Sequence, residues 1–203
     1  METEYKFKIP NSDLAKRIFN DMMHYKYRES SKIETISMHA IYFDSEDSDL
    51  KQKGIAYRTR HENDRITVTV KWDSRQNEGL YSREEFNLVI DDNGFADHPN
   101  IDIFKSGEVY DILHEAVGDK KLVRTVEMKF NRELLKLDVN DSIVALSFDK
   151  GKIKGRTEEN PISELEIEWY HGKKENFHQF AKMIMGKYEL EPELKSKLQR
   201  GFI

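Results

Sequence analysis

The sequence predicts a mainly β protein of the α+β class, an eight-stranded antiparallel closed barrel with helices packed outside. Three observations predict it. Eight segments alternate or are rich in β-formers, and most follow one another across short polar turns. Three other segments place apolar residues at helical spacing. Fixed charges recur on one face of strand after strand, which an ordinary wet sheet face does not require.

Residues 2–9 alternate strictly, with Glu2, Glu4, Lys6 and Lys8 opposite Thr3, Tyr5, Phe7 and Ile9. A helix over 12–24 follows, capped by Ser12, with Leu14, Ile18, Phe19 and Met22 on one face. Residues 33–44 are β-rich, and the acidic stretch 44–49 reads as a solvated loop or flexible lid. Strands 56–62 and 65–73 flank Glu62-Asn63-Asp64, and 80–90 follows an Asn77-Glu78-Gly79 turn. A helix over 106–117 starts at Ser106, carries Val109, Ile112, Leu113 and Ala116, and ends near Gly118. Strands 125–139 and 142–153 flank Asn140-Asp141, a tight-turn pair, and 163–170 closes the set. A helix over 176–188 carries Phe177, Phe180, Ala181, Ile184 and Met185. A short last helix over 192–198 precedes Arg200-Gly201-Phe202-Ile203.

The 203 residues suit one domain, and 35% of them are charged. The net charge of −5 argues against a general binder of nucleic-acid duplexes. With no cysteine, disulfides, thiolate nucleophiles and zinc–thiolate sites are excluded. Charge from residue 2 onward and the lack of a long apolar run point to a cytoplasmic protein without a membrane partner. The seven histidines show no HExxH spacing, and neither a P-loop nor a GxSxG elbow is present. His61, at the end of its strand, could border a barrel mouth.

Sorting the strands by parity segregates the charges. Arg58 and Arg60 share a face opposite Tyr57, Thr59 and His61. Thr67, Thr69 and Lys71 oppose Ile66, Val68, Val70 and Trp72. Arg83, Glu85 and Asn87 oppose Phe86, Leu88 and Ile90, Arg132 shares a face with Phe130 and Leu134, and Glu164, Glu166 and Glu168 oppose Leu165, Ile167 and Trp169. An eight-stranded barrel has room inside for side chains or a small ligand. Burying so many unpaired charges would cost several kcal/mol per ion, so an inward arrangement demands compensating guests. Lys and Arg match phosphate oxygens, and carboxylates match a hard divalent cation. The pattern therefore points to a metal–polyphosphate complex.

Several motifs resemble the CYTH, or triphosphate tunnel metalloenzyme, superfamily. Glu2-Thr3-Glu4-Tyr5-Lys6 is similar to its ExExK signature, and Tyr42-Phe43-Asp44 to its YFD(T), with Ser45 for Thr. Gly54 to Arg60 resembles its GxxLRxR strand, with Tyr57 at the Leu. Thr69-Val70-Lys71 and Arg83-Glu84-Glu85 resemble T-x-K and R-x-E. Asp149-Lys150-Gly151 resembles a D-x-G hairpin turn, in which Asp149 would shape the turn. Glu164 to Glu168 resembles ExExE, and Ser196 to Gly201 resembles the closing SKxxRG.

The resemblance implies a tunnel with inward charges. It implies Glu2, Glu4, Glu164, Glu166 and Glu168 as ligands for one or two Mg²⁺ or Mn²⁺ ions. It implies Lys6, Lys8, Arg58, Arg60, Lys71, Arg83, Arg132 and Arg200 as phosphate-binding residues. Glu168 or Glu85 would position water, and Lys197, on a C-terminal helix bordering the tunnel, would assist the leaving phosphate. The expected activity is metal-dependent hydrolysis of inorganic triphosphate, ATP or thiamine triphosphate by a monomer or homodimer. Inorganic triphosphate leads, because the inward set offers few aromatics to stack on a base. Adenylate cyclase of class IV type and a non-catalytic polyphosphate or nucleotide binder are the alternatives.

Overall fold

The computed structural model describes residues 1–25, 32–105 and 107–202. Eight strands form the barrel: β1 (Glu2–Lys8), β2 (Glu34–Asp44), β3 (Ala56–Glu62), β4 (Arg65–Asn77), β5 (Leu80–Ile90), β6 (Val123–Asp138), β7 (Ser142–Lys154) and β8 (Glu159–Gly172). Their order is β1-β5-β4-β3-β2-β6-β7-β8, and β8 pairs with β1 to close the ring. Every pairing is antiparallel. Closure removes free strand edges. Two tight turns fix register: Glu78 and Gly79 have φ of 49° and 85°, and Asn140 and Asp141 have 49° and 66°. Positive φ at both central residues matches the twist of the flanking strands.

The helices are α1 (Ser12–Met22), α2 (Asp49–Gln52), α3 (Asn93–Asp97), α4 (Glu108–Val117), α5 (Lys174–Lys187) and α6 (Lys197–Arg200). The apolar strand faces look outward beneath them. Ile18, Phe19 and Met22 of α1 and Phe177, Phe180 and Ile184 of α5 bury against Phe7, Leu146, Leu165 and Ile167. Leu50 of α2 and Leu113 and Val117 of α4 bury against Phe43, Tyr57, Val68 and Val70. Each such side chain contributes about 1.5–3 kcal/mol when fully buried. The inverted pattern, oil outside and charge inside, holds because this coat of helices covers the oil. Among the described residues no helix is long and apolar enough to cross a membrane.

Several expectations need correcting. Asn11, not Ser12, caps α1, since Leu14 N donates to Asn11 Oδ1 at 2.9 Å. Ser106 lies outside the described residues, as does Ile203. The acidic stretch 44–49 is a solvated turn only at its middle, where Glu46 and Asp47 are exposed; its ends belong to β2 and α2. Asp44 is buried and accepts from the backbone N–H groups of Ser45, Leu50 and Lys51 at 2.8, 2.8 and 3.0 Å, which nucleates α2. Asp149 does not shape a turn; it lies inside β7, opposite Arg132 and Glu164.

The last helix is shorter and later than the expected 192–198. Beyond Tyr5, β1 has outrun β5, and the tail supplies backbone partners there. Lys8 N donates to Glu191 O, Glu193 N donates to Lys6 O, and Phe7 bridges to Pro192. This extended pairing outcompetes helix until Ser196, whose capping box with Gln199 starts α6. Gly201 then lets the chain lie against β6, because a Cβ there would meet Val126 Cγ1 at 2.5 Å.

Candidate active site

The inward faces meet in one chamber of about 80 Å³. At the end bordered by α6, Arg132, Asp149 and Glu164 stand side by side on β6, β7 and β8. Arg132 grips Asp149 with two hydrogen bonds of 2.7 Å and also donates to Glu166. Lys197 Nζ lies 2.7 Å from Asp149 and 2.9 Å from Glu166, and also pairs with Glu164. Arg200 pairs with Glu164 as well. Lys6 Nζ donates to Glu166 at 2.6 Å and lies 3.1 Å from Glu4.

Farther along, Arg83 joins β5 to β1, with Nε donating to Glu2 at 2.5 Å and Nη2 to Glu4 at 2.6 Å. Lys71 sits 2.9 Å from both Glu2 and Glu85. Three groups depart from this mutual pairing. Arg58 reaches only Tyr42 Oη at 3.4 Å and Thr69 Oγ1 at 3.3 Å. Arg60 pairs with Glu62. The Nε atoms of Arg58 and Arg60 are both buried without a hydrogen-bond partner. Glu168 lines the same chamber and has no ion pair among the described residues.

The electrostatics follow this division. Burial opposes ionisation of Glu166, but Lys197, Lys6 and Arg132 outweigh it and hold the carboxyl well below its usual range. Burial likewise opposes ionisation of Glu2, where Lys71 and Arg83 prevail. Burial raises Glu4, and neighbouring Glu2 adds to the rise. Glu168 is pushed up to about 8 by burial, then by Glu2 and Glu4. Burial and neighbouring Arg58 push Arg60 down to about 10. Of these last three, Glu4 faces Arg83 and Lys6 and Arg60 faces Glu62, so Glu168 alone lacks an ion pair among the described residues.

Two carboxylate groups could accept a divalent ion. Asp149, Glu164 and Glu166 each offer an oxygen, all within 4.8 Å of one another. Their positive charge already comes from Lys197, Arg132, Arg200 and Lys6. Glu2, Glu4 and Glu168 also line the chamber; Lys71 and Arg83 pair with Glu2, Arg83 and Lys6 with Glu4, and Glu168 has no ion pair among the described residues, leaving hard oxygen donors of the kind a divalent cation takes.

Of the residues singled out from sequence, Lys8 is not brought to the chamber. Its side chain is 55% exposed and faces Glu191 at 3.5 Å, because β1 has by then passed the rim. Glu85 flanks the chamber through Lys71 and accepts from Asn87 Nδ2 at 2.9 Å. The sequence reading placed Phe130 on the face of Arg132 but missed Tyr42 and Met128, which line the chamber with Ala40 and Leu198. Apart from Arg132, the β2 and β6 wall is therefore apolar or aromatic, in contrast to the near-continuous charge expected. The parity of 33–44 could have shown it, since Met38, Ala40 and Tyr42 share one face. Tyr42 is lowered below the usual phenol range; burial opposes this, and Arg58, Lys71 and Arg83 overcome it.

A closed barrel of eight strands, with acids and bases interleaved around its bore, defines a triphosphate-tunnel protein. The CYTH domain family model matches residues 1–202, and the chain belongs to that family. An inorganic triphosphatase of Haemophilus influenzae is 26% identical over 162 residues, covering 80% of this chain and 44% of that protein. The chain thus spans less than half the length of that relative. HpAC1 of Hippeastrum, a candidate adenylyl cyclase with a dominant triphosphatase activity, superposes with a TM-score of 0.72 at 17% identity, over 100% of this chain and 97% of the other. A candidate adenylate cyclase of Bacillus halodurans gives 0.62 at 20% identity, over 100% and 98%. At such identities the likeness shows the fold alone.

Proposed function

We propose that the protein is a divalent-cation-dependent triphosphatase. The observation that carries this reading is found in one chamber: a carboxylate, Glu168, without an ion pair among the described residues, beside Arg58, which reaches only hydroxyl groups, and Arg60, held by Glu62 through one nitrogen with its Nε unpartnered. A pure anion binder would need only the arginines. The inorganic triphosphatase of Haemophilus influenzae supports the substrate class.

Glu2, Glu4 and Glu168 would hold Mg²⁺ or Mn²⁺, and Glu164 and Glu166 a second ion if Lys197 gives way. Such an ion neutralises phosphate oxygens and makes the phosphorus more electrophilic. Arg58, Arg60, Lys71 and Arg83 bind the phosphate chain, with Arg132 and Lys6 closing the α6 side. Glu168, with one oxygen left free by the ion, would position the attacking water and take its proton. Glu85 holds Lys71 in place. Burial would lower Lys197, yet Asp149, Glu164 and Glu166 raise it, so it stays charged. Lys197 therefore stabilises the departing phosphate by charge and does not protonate it. Inorganic triphosphate is the smallest substrate that these groups satisfy alone. A single domain, a cytoplasmic setting and a monomer or homodimer complete the reading.

The test is phosphate release from inorganic triphosphate, ATP and thiamine triphosphate, with and without chelator, alongside cyclic AMP. Chelator-sensitive phosphate release is the expected result. Cyclic AMP without orthophosphate would instead establish a cyclase. Metal-dependent binding without turnover would establish a binder.

A further inference from the structure

On the outside of the barrel, β2, β3 and β6 bring together a second group of side chains able to ligate a metal. His39 stands directly opposite His61 in the β2–β3 ladder. Arg58 and Arg60 of β3 line the chamber, so His61, one residue on, points to the outer face. Glu127 of β6 approaches from the other side of β2, with Oε1 2.7 Å from His39 Nε2. None of the three lines the chamber.

That hydrogen bond decides the tautomer of His39. Burial opposes ionisation of Glu127, but Lys129 and His39 outweigh it and hold the carboxyl below its usual range. An ionised carboxylate only accepts, so His39 Nε2 carries the proton. In the neutral ring the lone pair then sits on Nδ1, the arrangement of a carboxylate–histidine–metal triad. The ladder already sets the two Cβ atoms side by side. The ring centres are 6.0 Å apart, and the ring planes meet at 24°. Two imidazoles that share an ion at about 2.1 Å have ring centres roughly 5–6 Å apart. Rotation of two half-buried rings about χ2, a soft torsion, closes the rest. The competing cation, Lys129, lies 3.1 Å from Glu127, and its side chain is 68% exposed and can swing into solvent.

We propose that His39 and His61, oriented by Glu127, form a second cation site outside the bore, one that takes Zn²⁺ with water in the remaining positions. Imidazole nitrogens suit Zn²⁺, whereas Mg²⁺ prefers the oxygen ligands found inside. The ion ties β2 to β3, the strand whose inward Arg58 and Arg60 line the chamber, and so clips the barrel wall behind them.

The experiment is calorimetric titration of Zn²⁺ into the whole chain in excess Mg²⁺. Wild type should take up Zn²⁺ and melt at a higher temperature with it. His39→Ala and His61→Ala should each bind it at least about ten-fold more weakly, and Glu127→Gln about ten-fold more weakly, since it loses the partner that sets the tautomer. Electron paramagnetic resonance of Cu²⁺ at the same site should show two nitrogen ligands in wild type and fewer in either histidine variant. Absence of Zn²⁺ uptake by wild type, or uptake unchanged in either histidine variant, overturns the assignment. These readouts are binding and spectra, so they stand apart from whether the chain hydrolyses triphosphates.

Discussion

At the α6 end of the tunnel, Asp149, Glu164 and Glu166 each face a cation within hydrogen-bonding reach. Four residues along β8 from Glu164, Glu168 faces none among the described residues; buried unpartnered Nε atoms occur in both regions, on Arg58 and Arg60 here and on Arg200 beside Glu164, but only here does a carboxylate stand without a cation. The two regions use the same residue types. The difference teaches that pairing, not composition, separates scaffold from site. Where acids and bases satisfy one another, the barrel wall and tail are held. Where they do not, binding capacity is stored for a ligand.

The comparison is broken most severely if Glu168 proves idle. Glu168→Gln should lower kcat by about 10²–10⁴-fold while triphosphate binding persists. Steady-state phosphate release and equilibrium binding check both halves. The opposite behaviour belongs to the paired end. Asp149→Asn removes charge from a buried cluster and leaves Arg132 and Lys197 short of a partner. It should cost about 3–5 kcal/mol of stability, read from denaturant unfolding.

Arg58→Met sharpens the contrast. It should weaken triphosphate binding by about 1.5–3 kcal/mol, since a charge-assisted contact is lost. The same change should leave the melting temperature equal or higher, because a poorly partnered buried cation is removed. A large fall in melting temperature would place Arg58 with the scaffold.

The pH dependence follows from Glu168, raised from the ordinary carboxyl range to about 8. Its folded form binds a proton more tightly than its unfolded form. Its contribution to stability is therefore full below the ordinary carboxyl pKa and is lost as pH rises through about 8. Glu168→Gln should flatten that decline in metal-free protein. Divalent cations compete with the same proton, so their affinity should rise by up to about ten-fold per pH unit below 8 and then level off. Calorimetry in buffers of different ionisation enthalpy would count the released proton. The smallest effect is expected at Lys8, where Lys8→Ala should change stability by less than about 0.5 kcal/mol and leave phosphate release unaltered.

The strands were legible because each keeps a period of two over enough residues to sort apolar from ionic faces. Parity alone brought Glu4, Arg58 and Glu166 to one bore. What stayed hidden has physical reasons. Asp149 precedes a glycine two residues on and looks like a turn, yet Arg132 and Lys197 hold it within a strand. Lys8 keeps the right parity but lies past the rim, and parity carries no information about barrel height. Residues 192–196 have a helix-permitting composition, but the unpaired end of β1 draws them into extended pairing. Unlike hairpin order, which β-turn residues announce, such long-range partnerships leave no local mark in the sequence.

Titration of Mn²⁺ by electron paramagnetic resonance, in wild type and in Glu168→Gln, tests the central claim most directly. Wild type should bind the ion, and Glu168→Gln should bind it at least about ten-fold more weakly. Wild-type affinity in Glu168→Gln would contradict the account and move the ion to the Asp149, Glu164 and Glu166 cluster.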